Sequence, residues 1–233
     1  MDIVDRCTEC SLRSTHFFCE LASDSISAFD AIATSIYYPK GAAIFVEGQS
    51  PRGVYVLCQG RLKLSICSSD GKTMIIGIVE PGEALGLNAT VSNTPYGVTA
   101  EALEPCQANF VRREDFLQFL RQNNDAIFNV TRHLSRHYEN AYAQIRSLGL
   151  SQSVGEKLAK LLLDWSTEAG EETIDGVSFK RTLTHEEIAR MIGTTRETIT
   201  RTFGDFAGKK IIDVRGATLT IRDRMALQAL AGA

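Results

Sequence analysis

Two sets of side chains in this sequence could do chemistry, and they lie near opposite ends. Towards the C-terminus, Thr195-Arg196-Glu197-Thr198-Ile199-Thr200-Arg201 opens a helical pattern. At roughly 100° per residue, Arg196, Glu197, Thr200 and Arg201 share an arc of about 140°, while Ile199, Phe203 and Phe206 fall on another side. A guanidinium can donate two hydrogen bonds to guanine O6 and N7, and a carboxylate can accept one from cytosine N4. The arc therefore has the chemistry to read base edges in a DNA major groove. An ordinary surface helix with a Glu197–Arg201 ion pair is the alternative reading. At the N-terminus, Cys7-x2-Cys10 and then Cys19 offer soft thiolates at a spacing that suits metal ligation.

The elements around the first set decide how it is presented. Thr184 with Glu187, and Thr194 with Glu197, have the spacing of capping boxes and predict two helix starts. Gly193, just past Ile188, Met191 and Ile192, suits a left-handed helix end. Lys209 to Ile221 reads as two β runs around an Arg215-Gly216 turn. A capped helix, a glycine turn, a second helix and a β wing make a winged helix-turn-helix. Its expected DNA contacts are Thr184, Thr195, Arg196, Glu197, Thr198, Thr200, Arg201 and Arg215, and its expected partner is double-stranded DNA.

Charge is distributed to match. The net charge of the 233 residues is −3, yet residues 180–233 hold ten Lys/Arg against six Asp/Glu, a net +4 that leaves −7 for the rest. A basic module joined to an acidic partner fits a DNA-contacting end and a separate sensing end. No run approaches eighteen apolar residues and no signal-peptide core opens the chain, so a cytoplasmic protein without a membrane span is expected. Six cysteines in that compartment predict thiols, metal ligands or redox sensors instead of structural disulfides. No Ser/His/Asp set, phosphate loop or paired-carboxylate motif is present, which argues against an enzyme.

Between the two ends the pattern is α+β. Residues 1–22 form a cysteine-bearing leader, and residues 23–124 a sensor unit that opens on a helix over about 25–34. From Ile36 to Val111, short β runs with Gly turns predict an antiparallel β-roll. A short helix carrying Phe116, Phe119 and Leu120 follows. Residues 125–149 are a long helix and hinge, with Ile127, Leu134, Ala141 and Leu148 recurring every seven residues and Val130, Tyr138 and Ile145 between them. That stripe predicts a homodimer seam, broken after Leu148 by Gly149-Leu150-Ser151. Residues 150–233 form the winged helix-turn-helix, starting with a helix from Ser153 to Trp165 and a hairpin from Ile174 to Leu183.

Glu47-Gly48-Gln49, Arg52 to Leu57 with Gly60, Gly82-Glu83 with Gly86, and Thr195-Arg196-Glu197-Thr198-Ile199 with Arg201 resemble the Crp/Fnr family of bacterial transcription regulators across nearly the whole chain. The resemblance implies a cyclic-nucleotide-binding-like roll, a dimerisation helix, and an activator or repressor that engages RNA polymerase. It also implies an effector pocket around Gly82, Glu83, Gly86, Tyr96 and Gly97. Cyclic-AMP members carry an Arg-Ser or Arg-Thr pair where this chain has Tyr96-Gly97, so cyclic AMP would lack its counter-charge and is not the expected effector. The leader resembles that of oxygen-sensing Fnr proteins, implying an iron–sulfur cluster on Cys7, Cys10, Cys19 and Cys106. His16 stands where the shortest leaders have their third cysteine, making zinc on Cys7, Cys10, His16 and Cys19 an alternative. Free thiols with another signal are a third. Cys106 is about three residues before the usual fourth ligand, an odd offset that turns a strand side chain to the other face. Cys58 and Cys67 read as small buried hydrophobes, and His133 and His137 as surface or seam histidines instead of haem ligands. In this family Arg-Glu-x-x-x-Arg goes with palindromic TGTGA-like half-sites, here carried by Arg196, Glu197 and Arg201.

Overall fold

The computed structural model describes residues 7–10, 19–150, 153–180 and 183–232. The chain divides into two compact units, residues 1–141 and 142–233. The first opens with a 3₁₀ turn at Cys7–Glu9, helix α1 (Ser23–Ile32) and strands β1 (Thr34–Tyr38), β2 (Ala43–Phe45), β3 (Gly53–Gln59), β4 (Leu62–Cys67), β5 (Thr73–Val79) and β6 (Ala84–Leu85). Helix α2 (Leu87–Ser92), strands β7 (Thr99–Ala102) and β8 (Cys106–Arg112), helix α3 (Arg113–Gln122) and the long α4 (Asn124–Leu150) follow. The division falls inside α4. The second unit continues with α5 (Val154–Ala169), β9 (Glu171–Thr173), β10 (Gly176–Lys180), α6 (His185–Ile192), α7 (Arg196–Gly208), β11 (Ile212–Arg215), β12 (Thr218–Ile221) and α8 (Arg224–Leu230).

Eight strands of the first unit form two antiparallel sheets in the orders β1-β8-β3-β6 and β2-β7-β4-β5. Strand β3 explains the arrangement. Its residues Gly53 to Cys58 are all buried, because side chains alternate between two apolar surroundings. Val54 and Val56 join Ile26 and Phe29 of α1, Phe116 and Phe119 of α3, and Ala126 and Val130 of α4. Tyr55 and Leu57 point the other way, into the roll interior with Phe45, Leu62, Leu85, Tyr96 and Ala100. Gly53 is required by close approach, since a Cβ there would lie 2.0 Å from the Val111 carbonyl oxygen.

In the second unit the sheet order is β11-β12-β10-β9. The expected capping box forms in full at Thr184 and Glu187, and Gly193 takes the left-handed conformation that ends α6 (φ 69°, ψ 47°). The second box does not form. Thr195, not Thr194, caps α7, its Oγ1 accepting from the Thr198 N–H at 3.3 Å. The Thr194 N–H instead closes the turn onto the Ala189 carbonyl, which uses it up before α7 begins.

Other boundaries also shift. Helix α1 stops at Ile32 because β1 starts at Thr34 and pairs with β8. Helix α4 continues through Gly149 to Leu150, since glycine lowers helix propensity without forbidding helix. The hairpin begins at Glu171, three residues early, turning at Ile174-Asp175. Helices α2 and α8 were not expected; α8 is nucleated by Asp223, whose carboxylate accepts from the Ala226 N–H at 2.9 Å.

The single tryptophan, Trp165, reports on the second unit, packing edge-on to Phe179. Ile199 is fully buried beneath α7. Replacing it with alanine should cost about 2–5 kcal/mol, and Thr195→Ala about 1 kcal/mol through the lost cap. Urea unfolding followed by Trp165 fluorescence should show both, with Ile199→Ala shifting the transition further. An unchanged transition in Ile199→Ala would contradict this packing.

Candidate nucleic-acid interface and sensor site

Helix α7 sorts its side chains cleanly. Ile199, Thr202, Phe203 and Phe206 are buried, whereas Arg196, Glu197, Thr200 and Arg201 are exposed. The Glu197–Arg201 ion pair is not formed, and among the described residues neither Arg196 nor Arg201 makes a salt bridge, although the Arg196 charge acts on the neighbouring Glu197 carboxyl. Glu197 is instead turned back to the helix start, where its own backbone N–H and the Thr195 hydroxyl hold its carboxyl below the usual range. Two exposed guanidiniums therefore lie along one helix face, with the Glu197 carboxylate held at the start of the helix beside them.

The threonines do something different from what their positions suggested. Thr184 is consumed by its capping box with Glu187. Thr195 and Thr198 hydroxyls lie 3.1 Å apart at the start of α7. Thr200 donates to the Arg196 carbonyl at 3.0 Å and is 2.9 Å from His185 Nδ1, the imidazole then donating. The His185 ring also stacks on Phe203, with centroids 4.8 Å apart. His185 thus locks α6 to α7, a role the sequence reading missed because it looked like an ordinary first-turn residue. At the wing tip Arg215 is exposed but rests on Asp213 at 3.1 Å, and Asp213 also takes Arg222 at 2.9 Å.

On the roll, the expected effector residues are only partly brought together. Tyr96 is buried, stacked on Phe45 at 4.1 Å between centroids. Its hydroxyl donates to the Gly53 carbonyl at 2.9 Å and accepts from the Arg52 and Gly53 N–H groups at 3.1 and 3.3 Å. Gly86 lies against it, since a Cβ there would come within 2.9 Å of the Tyr96 ring. Gly82 pairs backbone to backbone with Leu57, and the Glu83 carboxylate accepts from the Glu80 N–H at 2.9 Å within its own turn. Gly97 is exposed.

The cysteines separate by face. Cys7 and Cys19 pack against the helical side of the roll sheet. Asn109 of β8, opposite Val56, donates to Cys7 Sγ at 3.1 Å. Cys58 sits at the bulge where the β3–β8 register shifts, a device that re-aims a side chain. Burial pushes the thiols of Cys7, Cys19 and Cys58 up to about 12, and the charges of these cysteines and of Cys10 act on one another. Cys106 does not belong to this group. It is buried in the roll interior, its thiol donating to the Arg61 and Glu104 carbonyls at 3.3 and 3.0 Å. Cys106 and Asn109 are three residues apart on one strand and so face opposite sides. Cys58, dismissed on sequence, is the roll cysteine beside the leader, and Cys67 is exposed. His16 lies outside the described residues.

Two further expectations are corrected on α4. His133 is not a surface or seam residue; it is buried, with Nε2 2.9 Å from the Ala84 carbonyl oxygen. Val130 and Leu134, assigned to the seam, pack onto the roll core. Ile127, Tyr138 and Ile145 of the expected stripe stay exposed, together with Phe128 and Tyr142. No described helix is long and apolar enough to cross a membrane.

Two family models match this chain: a cyclic nucleotide-binding domain over residues 35–123 and a Crp-like helix-turn-helix domain over residues 156–230. Among relatives, the transcriptional activatory protein AadR of Rhodopseudomonas palustris is 27% identical over 98% of this chain and 94% of its own length. The transcriptional activator protein FnrA of Stutzerimonas stutzeri is 26% identical over 97% and 92%. FixK2 from Bradyrhizobium japonicum shares the fold with a TM-score of 0.77 at 22% identity, over 87% of this chain and 98% of that one. Matched by both models, and end to end by such relatives, a chain with this β-roll, long helix and winged helix-turn-helix is a member of the Crp/Fnr family of DNA-binding transcription regulators.

Proposed function

We propose that the protein acts as a cytoplasmic homodimer that reads a palindrome of TGTGA-like half-sites and engages RNA polymerase there. The observation that carries the reading is the set of exposed side chains Arg196, Glu197 and Arg201 on α7, the two arginines making no salt bridge among the described residues. Each guanidinium can take a guanine through O6 and N7, and Glu197 a cytosine through N4. Half-sites about one helical turn apart suit a two-fold dimer. Cyclic AMP is not the signal in this reading, because Tyr96 offers the phosphate no cation and its hydroxyl is already bonded to Gly53.

Selection from random DNA tests the readout. Wild type should enrich TGTGA-like half-sites, and Arg196→Ala should lose about 1–3 kcal/mol while relaxing the choice at one base pair. Uniform weakening across sequences, with a flatter salt dependence, would mean that Arg196 touches only phosphate. Recovery by both proteins of TTGAT-like half-sites, the kind that goes with Fnr-like reading helices having an apolar residue in place of Arg196, would overturn the assignment.

The dimer seam follows the exposed stripe of α4. Tyr138, Tyr142 and Ile145 recur at coiled-coil spacing and remain exposed in the single chain. Tyr142→Asp with Ile145→Asp places like charges in the proposed seam, so sedimentation should give monomers and palindrome binding should fall with it. A double variant that still sediments as a dimer would place the seam elsewhere.

A second reading of the signal rests on the thiols. Cys7, Cys10, Cys19 and Cys58 form a donor set of the type that holds an iron–sulfur cluster, a group that would make the regulator sensitive to oxygen or redox state. Among the described residues no three His, Cys, Asp or Glu side chains are close enough to hold a metal ion as placed, so the chemical suitability of the four thiols is what supports it. In protein purified without oxygen, iron content should fall in Cys7→Ser, Cys10→Ser and Cys58→Ser and persist in Cys106→Ser. Equal iron in all four variants would end this assignment.

A further inference from the structure

The most unusual hydrogen bonding in the first unit lies on α4. His133 and His137 are four residues apart, so their side chains project from the same helix face. Their Nε2 atoms approach to 2.8 Å, with ring centroids 4.5 Å apart. His133 Nε2 is also 2.9 Å from the Ala84 carbonyl oxygen of β6. A carbonyl can only accept, so His133 Nε2 carries a hydrogen and His137 Nε2 presents its lone pair to it, with its own hydrogen on Nδ1. Two imidazole nitrogens and a carbonyl oxygen thus surround a single hydrogen. Adding a proton to His137 would set two N–H groups face to face, and burial already pushes His133 down to about 4. His137 is also lowered by burial, with the Glu83 carboxylate pulling it back up and the Arg136 guanidinium pushing it down.

We infer that His133 Nε2 and His137 Nε2 form a binding site for a divalent transition-metal ion of the zinc, cobalt or nickel type, at the contact between α4 and the Gly82–Gly86 segment. Neutral imidazole suits these ions, and the i, i+4 spacing brings two such nitrogens to one point. Bonds of roughly 2.0–2.1 Å in a tetrahedral arrangement hold two nitrogens about 3.3 Å apart. The rings need open by only about half an ångström, which small side-chain rotations supply. For His133 to ligate as a neutral imidazole its hydrogen moves from Nε2 to Nδ1, which frees the Nε2 lone pair for the ion, and Ala84 O and water would complete the shell. Only two of the donors are side chains, in keeping with the absence of any three-residue metal group among the described residues. In the metal-free protein α4 meets this segment through the apolar packing of Ala84 with Ala126 and Val130 and through the His133–Ala84 hydrogen bond. A bound ion would clamp α4 more firmly, and α4 continues into the unit that carries the winged motif. In that respect the inference rests on the regulatory reading above.

Calorimetric titration of the full chain with Co2+ in the absence of DNA tests the site apart from that reading. Wild type should take up an ion whose visible spectrum lacks intense thiolate-to-cobalt absorption. Cys7→Ser with Cys10→Ser should retain this ion. His137→Gln should weaken it at least as much as the roughly 10-fold that losing an outer-shell partner costs, with circular dichroism confirming its fold. His133→Gln should do the same, with circular dichroism confirming the fold. Uptake unchanged in His137→Gln, or abolished by the cysteine substitutions, would overturn the inference. Metal binding with no change in DNA affinity would preserve the site and sever its link to regulation.

Discussion

Everything in the first unit depends on the burial of β3 on both faces. Val54 and Val56 are covered by α1, α3 and α4, and Tyr55 and Leu57 by the second sheet. Fully burying each such side chain is worth about 1.5–3 kcal/mol, so the strand cannot slip by one residue without exchanging its two surroundings. It therefore acts as a wall between an apolar roll interior and a helical layer. Gly53 fixes the wall's edge. It lies against the Val111 carbonyl too closely for any Cβ, and both its N–H and its carbonyl are tied to the Tyr96 hydroxyl. One backbone position thus joins sheet pairing to the closure of the roll interior.

The wall also explains which features could be read from sequence. Short β runs, glycine turns, the Thr184 capping box and the Gly193 helix end are local signals, and each appears where its chemistry requires. So do the two faces of α7, because a 3.6-residue period needs no tertiary information. The seam of α4 was harder. Ile127, Leu134, Ala141 and Leu148 form a seven-residue repeat, but Leu134, with Val130, is taken by the roll core, while Ile127, Tyr138, Tyr142 and Ile145 stay outward. An apolar stripe does not say which of two partners covers it. The Thr194 box failed for a similar reason, as its backbone N–H was already committed to the turn onto Ala189.

The cysteines were misread at the level of faces. Strand parity correctly set Cys106 apart from the leader side. Parity alone could not find Cys58, because the β3–β8 bulge lies at that residue and breaks the alternation. Likewise, nothing in the spacing of His133 and His137 reveals that the Ala84 carbonyl of a two-residue strand faces them. Contacts with a main-chain atom leave no trace in residue type.

The two sides of the wall differ in what can change them. In the interior, Tyr96 stacks on Phe45 and makes three backbone hydrogen bonds, all of which an entering anion would have to displace. Burying an ionised group without a partner costs far more than those bonds return. On the helical side, buried polar groups are numerous and reach across elements. Asn129 donates to the Glu20 carbonyl at 2.7 Å, Asn109 to Cys7, Ser25 to Asn123 and Asp125, and His133 to Ala84. Such contacts are strong while satisfied and costly when one member changes its protonation or acquires a ligand. Apolar packing responds to neither. The polar contacts that protonation or a ligand can alter therefore lie on the helical side of the wall, among Cys7, α1 and the first part of α4.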